Sequence, residues 1–192
     1  MADLLDLVFT SGRSFCNWLD RPVEPALLRR AYELVRHAPT SVNCQPGRFV
    51  FISSPEAKAR LLPAMTKNNF DKVRTAPVTV IVAADSRYYE HLPRLFHHRP
   101  EVGAEHEANP AMARETAFRN STLQGGYFIL AARALGLDCG PMSGFDATAV
   151  DDEFFPDGRW RSNFLINVGY GDRSSLFPPL PRLDFEQACK FL

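Results

Sequence analysis

The chain has 192 residues, 45% of them hydrophobic and 11% aromatic, a length and apolar content that predict a single domain over residues 1–192. Its 22 Lys and Arg residues balance 22 Asp and Glu residues, so neither nucleic acid nor an anionic membrane is an expected partner. Four scattered cysteines without a C-x-x-C pair favour a cytoplasmic location over a secreted disulfide scaffold. The first residues also lack the basic and apolar regions of a secretion signal.

The first half of the chain alternates between helix and strand patterns. Apolar residues recur at helical spacing in three segments, and Pro25 and Pro55 stand where a helix can begin. The β-branched run VTVIVAA is typical of a strand that is buried on both faces. We therefore predict helices over residues 4–11, 25–38 and 55–62, and strands over residues 48–53 and 78–84.

The second half contains one long helical pattern. Residues 110–135 predict a central helix that is buried around much of its circumference, with Gly125 and Gly126 tolerated through close packing. Residues 87–109, before it, have no clear period. We expect an excursion with a short helix, which forms either a lid over a pocket or a solvated connector. A further buried strand follows over residues 164–168. Because helices and strands do not alternate as regular βαβ units, we predict an α+β fold.

The C-terminal segment has an unusual composition. Residues 174–182 contain three prolines and cannot form an ordinary helix or a central strand. We expect this arm to run extended, and to pack either on a partner subunit or on its own domain. A last helix should begin at Asp184, because Gln187 three residues later completes a capping box.

Several patterns of well-known catalytic and cofactor sites are absent. The chain has no P-loop, no G-x-S-x-G and no H-E-x-x-H. No G-x-G-x-x-G follows a strand, so a dinucleotide held in a Rossmann crevice is not expected. His91, His97, His98 and His106 lie close together in the sequence, but metal binding requires convergent ligands of defined spacing. We expect no metal there, and a solvated polar loop is the simpler interpretation.

Four short segments at the junctions between elements carry polar groups suited to a ligand. They are Arg13-Ser14, A-P-T-S-V-N-C-Q-P over residues 38–46, Asn69-x-x-Lys72, and L-G-L-D-C-G-P-M-S-G-F-D over residues 135–146. Hydroxyl, amide and glycine residues at such places present side-chain and backbone donors. Taken singly, each segment is more typical of ordinary turns. Taken together, they indicate one polar binding site.

This combination resembles the FMN-dependent nitroreductase family over essentially the whole chain. The strings T-A-F-R-N-S, G-P-M-S-G-F-D, I-N-V-G-Y-G and L-P-R look like the branch of malonic semialdehyde reductases that act in uracil degradation. The resemblance implies a nitroreductase-like α+β fold, with a central, mostly antiparallel sheet flanked by helices and a long buried helix. It also implies a homodimer that exchanges extended C-terminal arms and binds FMN at its interface.

The resemblance assigns roles to individual residues. Arg13, Ser14 and Arg182 would bind the FMN phosphate, for which guanidinium forks are well suited. Asn69 and Lys72 would face the pyrimidine edge and ribityl chain, where negative charge accumulates on reduction. The partner subunit would contribute Pro39, Thr40, Ser41 and Asn43. The ring face would be lined by Pro141, Met142, Ser143 and Gly144.

The reaction implied by the resemblance is ping-pong. NADH or NADPH, a transient co-substrate, passes hydride to flavin N5 and leaves, and malonic semialdehyde then accepts it to become 3-hydroxypropionate. No side chain is expected to act as a dedicated acid, since the flavin performs the chemistry and water can supply the proton. Arg119 and Arg99 are candidates for binding the substrate carboxylate, with surface ion pairs as the alternative role for both.

The chain also departs from the family. Gly12, Cys16 and Leu180 stand where basic residues are often found, which predicts weaker FMN binding. Ser143 replaces a common glutamate, which predicts a change in how the nicotinamide or the substrate is placed. Three other functions therefore stay open. They are a broad-specificity nitroaromatic or quinone reductase, a non-catalytic flavin-binding module, and an interaction protein that acts through its proline-rich tail.

Overall fold

A computed structural model describes residues 4–192, so residues 1–3 of the predicted domain lie outside the described part. At its centre lies a four-stranded sheet of order β1-β2-β4-β3, in which every neighbouring pair is antiparallel. The strands are β1 (Gly47–Ile52), β2 (Val78–Asp85), β3 (Asp138–Met142) and β4 (Trp160–Gly169). The predicted α+β class and mostly antiparallel sheet are confirmed.

Helices cover both faces of this sheet. They are α1 (Pro25–Val35), α2 (Pro55–Leu61), α3 (Lys67–Thr75), α4 (Leu92–Leu95), α5 (Val102–Glu107), α6 (Pro110–Ala134), α7 (Ala147–Phe154) and α8 (Phe185–Ala188), preceded by a π-helical turn over Asp6–Thr10. Proline stands in the first turn of α1, α2 and α6, where its missing N–H costs no hydrogen bond. None of the helices within residues 4–192 is both long and apolar enough to cross a bilayer.

Strand β2 is covered on both faces, and most of its side chains are apolar. All eight of its residues are buried, as predicted. Val80 and Val82 face one cluster, which includes α1 and α6, whereas Ile81 and Ala83 face a second cluster, which includes α2 and α7. A strand that is covered on both faces needs apolar side chains on each, which is why the β-branched run is continuous.

The long helix α6 is buried on the side that faces the sheet and open on the other. An added Cβ at Gly125 would lie 2.4 Å from the Phe164 ring, so glycine there permits close packing, as predicted. Away from this contact, Phe118, Leu123 and Tyr127 are 61%, 42% and 37% exposed. The burial predicted around the circumference is therefore confirmed for one face, and the other is uncovered in a single chain.

Elements α3, β3 and α7 were not predicted from the sequence, and residues 87–109 contain two short helices, α4 and α5, where one was expected. Strand β3 contains Gly140 and Pro141, which disfavour a central strand but are tolerated in β3 because it lies at the sheet edge. The interpretation of residues 87–109 as a solvated connector was wrong. Tyr88, Leu92 and Val102 from this region are buried in a third cluster, so the segment is a packed helical unit.

Candidate functional site

A cleft of about 410 Å³ lies where the N-terminal segment, the end of α6 and the C-terminal arm meet. We call it the arginine cleft, because Arg13, Arg133 and Arg182 line it together with Gly12 and Ser14. No aspartate or glutamate of the described chain lines it, although acidic and basic residues are equal in number overall. Three predicted phosphate ligands, Arg13, Ser14 and Arg182, thus share one cleft. An Arg13 N–H also donates to the carbonyl of Phe177 in the arm.

The N-terminal motif is attached to the sheet through β3. Ser14 pairs with Cys139 in a parallel bridge, and the Phe15 N–H donates to the Cys139 carbonyl at 3.0 Å. Gly140 permits this approach, because an added Cβ would lie 2.3 Å from the Phe15 carbonyl oxygen. From Cys139 the strand advances about 10 Å to Met142. The predicted segment Pro141–Gly144 therefore leads directly away from the arginine cleft.

At the far end of β3, the predicted amide and lysine come together with the predicted glycine. The Asn69 amide donates to the Gly144 carbonyl at 3.0 Å, and Lys72 Nζ donates to Asn69 Oδ1 at 3.1 Å. Thr66 Oγ1 donates to the same carbonyl at 2.9 Å. An added Cβ at Gly144 would lie 2.6 Å from Asn69 Nδ2, so only glycine allows this spacing without movement. Helix α3 orients both side chains.

The loop over residues 39–46 is held in an unusual conformation. Val42, Asn43 and Gln45 have φ of 46°, 52° and 41°, a left-handed conformation that a β-branched residue rarely adopts. The Ser41 N–H donates to Asn120 Oδ1 at 2.9 Å, and the Asn43 amide donates to the Leu95 carbonyl at 2.9 Å. Residues in a strained backbone conformation, held in place by the surrounding structure, are common at ligand sites.

This loop and the arginine cleft lie far apart in one chain. The loop leads into β1 at one edge of the sheet and the cleft adjoins β3 at the other, which are about 14 Å apart across three strand spacings. Along α6, the loop contact at Asn120 and the cleft residue Arg133 are separated by about 20 Å. A single chain therefore does not unite Pro39, Thr40, Ser41 and Asn43 with the other predicted ligands.

The buried carboxylate of Asp85 lies next to the end of the loop over residues 39–46. Asp85 is 1% exposed and pairs with Arg48 at 2.6 Å and with Arg159 at 3.1 Å. Burial raises the pKa of this carboxyl, but the hydrogen bond from Arg159, the Arg87 N–H and the two guanidinium charges together hold it below its usual value. The Asp85 N–H donates to the Pro46 carbonyl at 2.9 Å, so the ion pair and the loop end are joined.

The two candidate carboxylate-binding arginines lie outside the arginine cleft. Arg119 is 75% exposed at its side chain and pairs with Glu115 one turn earlier on α6. Arg99 pairs with Glu101 at 3.0 Å and with Glu105 at 3.5 Å. Both arginines have the surface ion pairs that stood as the alternative to substrate binding.

His106 and Cys139 are among the buried residues of the described chain. His106 is buried and hydrogen-bonds through Nδ1 to the Tyr88 hydroxyl at 2.5 Å, which the solvated-loop interpretation did not anticipate. Between residues 4 and 192, no three His, Cys, Asp or Glu side chains converge as metal ligands. Burial raises the pKa of the Cys139 thiol to about 12, so this thiol is protonated at neutral pH.

Arg133 is the principal cleft residue that motif reading did not assign. It interrupts the most apolar segment of the chain, residues 125–137, and a lone charge in such a segment is seldom buried without a partner. That position was the available signal. Thr66 and Asn167 were also missed, and the Asn167 amide donates to the Lys72 carbonyl at 2.9 Å. Thr66 stands in no distinctive sequence pattern, whereas Asn167 lies within the I-N-V-G-Y-G string.

Comparisons with known proteins agree on one family. A family model described as Nitroreductase family matches residues 13–170. A relative from Rhodopseudomonas palustris (strain TIE-1), provisionally named NADH dehydrogenase/NAD(P)H nitroreductase, is 54% identical over 188 residues, which are 98% of this chain and 95% of that relative. A relative from Burkholderia lata with a similar provisional name is 54% identical, over 97% of this chain and 95% of its own.

Solved structures share the fold over the full length. A provisionally named nitroreductase from Bacillus subtilis superimposes with a TM-score of 0.90 at 25% identity, covering 100% of both chains. Another, from Exiguobacterium sibiricum 255-15 and solved in complex with FMN, gives a TM-score of 0.87 at 23% identity, covering 100% of this chain and 98% of its own. The nitroreductase-like fold is thereby confirmed.

Proposed function

Because the chain belongs to the nitroreductase family, we propose that it is an FMN-dependent NAD(P)H oxidoreductase that works as a homodimer. One observation carries the proposal. Three arginines line a cleft that no described aspartate or glutamate lines, and an edge strand leads from it to the cluster of Asn69, Lys72 and Gly144. An anion site connected in this way to an amide and a second cation suits a ligand with a phosphate at one end and a polar ring at the other.

The residues present fit FMN chemically. Arginine forks provide charge-assisted hydrogen bonds for a dianionic phosphate, and Ser14 adds a hydroxyl. Gly12 and Gly144 allow the Arg133 guanidinium and the Asn69 amide to lie where a side chain would otherwise stand. Asn69 and Lys72 provide the donors and positive charge that a ring accumulating negative charge requires. When bound, the flavin supplies hydride transfer in two directions, from the nicotinamide and to the substrate.

The protein itself has three tasks in this reaction. Arg13, Ser14 and Arg182 bind the phosphate, and the Pro141–Gly144 segment together with Asn69 positions the ring. Lys72 stabilises the negative charge of the reduced state. Since neither Cys139 nor another described group stands out as an acid at this site, we propose that water donates the proton to the product.

A second copy of the chain completes the site. The loop with Pro39, Thr40, Ser41 and Asn43 lies too far from the cleft to act within its own chain, and we propose that it covers the flavin of the partner. Large apolar residues are exposed both on α6 and along the arm, as is typical of interaction sites. The arm residues are Phe177, Leu180, Leu183, Phe185 and Phe191. We propose that these surfaces are buried by exchange of arms between subunits, in which each arm extends from the cleft of its own chain over the partner subunit.

For the substrate we propose malonic semialdehyde. Hydride adds to its aldehyde carbon and a proton to its oxygen, so that 3-hydroxypropionate and NAD(P)⁺ are the products. The motif strings around Arg119 and Gly144 support this choice, and Arg119 stays the candidate for the substrate carboxylate. A broad nitroaromatic or quinone reductase is the second candidate, favoured by the provisional names of the relatives. The free cysteines support a cytoplasmic location.

The test is anaerobic reoxidation of the reduced protein. The chain is reconstituted with FMN, reduced with one equivalent of NADH or NADPH, and mixed with each acceptor while flavin absorbance is followed. We expect malonic semialdehyde to reoxidise the flavin faster than a nitroaromatic does. Equal or faster reoxidation by the nitroaromatic would favour the broad reductase. A chain that takes up no FMN would contradict the enzyme proposal altogether.

A further inference from the structure

We propose that Arg133 is a third phosphate-binding cation of the arginine cleft, and that Gly12 is required because it leaves room for this guanidinium. The inference rests on the proposed binding of FMN. Arg133 projects from the last turns of α6 towards the N-terminal segment. An added Cβ at Gly12 would lie 2.6 Å from Arg133 Nη1 and 2.7 Å from its Cζ, so the two positions cannot both carry an unmoved side chain.

The guanidinium is anchored without being neutralised. Its Nη1 donates to the Val8 carbonyl at 3.0 Å, and its Nη2 approaches the Arg13 carbonyl at 3.4 Å. Within residues 4–192 no ion pair involves Arg133, and its buried Nε has no hydrogen-bond partner. A partly buried cation without a counter-charge is costly, because burial removes hydration and the two carbonyl contacts replace only part of it. An anionic ligand in the cleft would provide the missing charge.

Its position also links Arg133 to the other cleft arginines. By approaching the Arg13 carbonyl it helps to hold the backbone from which the Arg13 side chain projects. Arg182 reaches the same cleft from the arm, where its guanidinium donates to the Leu180 and Pro181 carbonyls at 2.9 and 3.2 Å. The three cations come from the N-terminal segment, α6 and the arm, and together exceed the two negative charges of a phosphate monoester.

The test compares FMN with riboflavin, which has the same ring and ribityl chain but no phosphate. Kd values are measured by quenching of flavin fluorescence for the wild-type chain, for Arg133→Met and for Arg133→Lys. We expect Arg133→Met to weaken FMN about tenfold to a hundredfold while riboflavin changes little, since a hydrogen bond to a charged group is lost. Arg133→Lys should keep most of the preference for FMN. Arg60→Met, which removes a surface arginine paired with Glu153, is the matched control.

A relocation variant separates charge from packing. The double variant Gly12→Arg, Arg133→Ala places a guanidinium in the same space but attaches it to the N-terminal segment instead of α6. We expect the preference for FMN over riboflavin to recover in this variant. Equal losses for both flavins in Arg133→Met would mean that the residue acts on the fold alone, and would overturn the inference. Unchanged FMN binding in that variant would overturn it as well. A wild-type chain that binds neither flavin would overturn the proposed function and this inference together.

Discussion

The two edges of the sheet offer different halves of a ligand site. At the β3 edge, one chain assembles three arginines, an amide and a lysine along one strand, with several donors still available. At the β1 edge, the strained loop uses its polar groups internally, through Asn120, Leu95 and its own Thr40 hydroxyl. The β3 edge carries the charges that attract an anionic ligand, and the β1 edge carries a loop of rigid shape. In this fold, the groups that give affinity and the loop that would cover the ligand are therefore on different edges.

The largest expected effect comes from removing the arm. Deletion of residues 174–192 takes away Arg182 and the exposed aromatic residues that we assign to the subunit interface. We expect a monomer that loses FMN, measured by light scattering and by flavin absorbance after gel filtration. Arg182→Met is the control, and should weaken FMN but keep the dimer. A yellow dimer after the deletion would mean that the β3 edge is sufficient without the arm.

A smaller effect is expected at the β1 edge from Asp85→Asn. Its carboxylate pKa is held below the usual 3.8, so it stabilises the folded state above that pH and the contribution is lost as pH falls towards the lower folded value. We expect the substitution to cost about 2 kcal/mol of unfolding free energy at pH 7, because Arg48 loses its carboxylate partner and Arg159 keeps only Glu90. The difference from wild type should shrink in urea titrations below pH 4. If the difference in unfolding free energy did not change with pH, the Asp85 carboxylate would not be the ionised group that stabilises the fold.

The smallest expected effect sharpens the distinction between the two ends of the β3 edge. Gly144→Ala places a Cβ 2.6 Å from the Asn69 amide and 3.0 Å from Thr66 Oγ1, so these side chains must shift. We expect FMN affinity to fall by about 1 kcal/mol, the value of one ordinary hydrogen bond. Because this end holds the ring, riboflavin should be weakened equally. A loss of affinity for FMN alone would mean that the phosphate lies near Gly144 and not in the arginine cleft.

Much of the secondary structure could be predicted because its signals are local. The buried strand β2 and the proline-initiated helices α1, α2 and α6 follow from periodicity and from the position of proline. The capping box at Asp184 is confirmed, with the Gln187 N–H at 3.0 Å from Asp184 Oδ1. Helix α3 was missed because its sequence, KNNFDKVRT, is mostly polar, and β3 because its Gly140 and Pro141 disfavour strands.

The candidate site divides in the same way. The sequence alone determined the kinds of ligand-binding group and their junction positions, since arginine, amide, lysine and glycine have the same chemistry in any fold. Only the tertiary structure decided which of them meet. Arg13, Arg133 and Arg182 share a cleft because α6 packs beside the sheet and the arm returns over the N-terminal segment. Periodicity acts over a few residues, whereas these contacts span 120 residues or more in the chain.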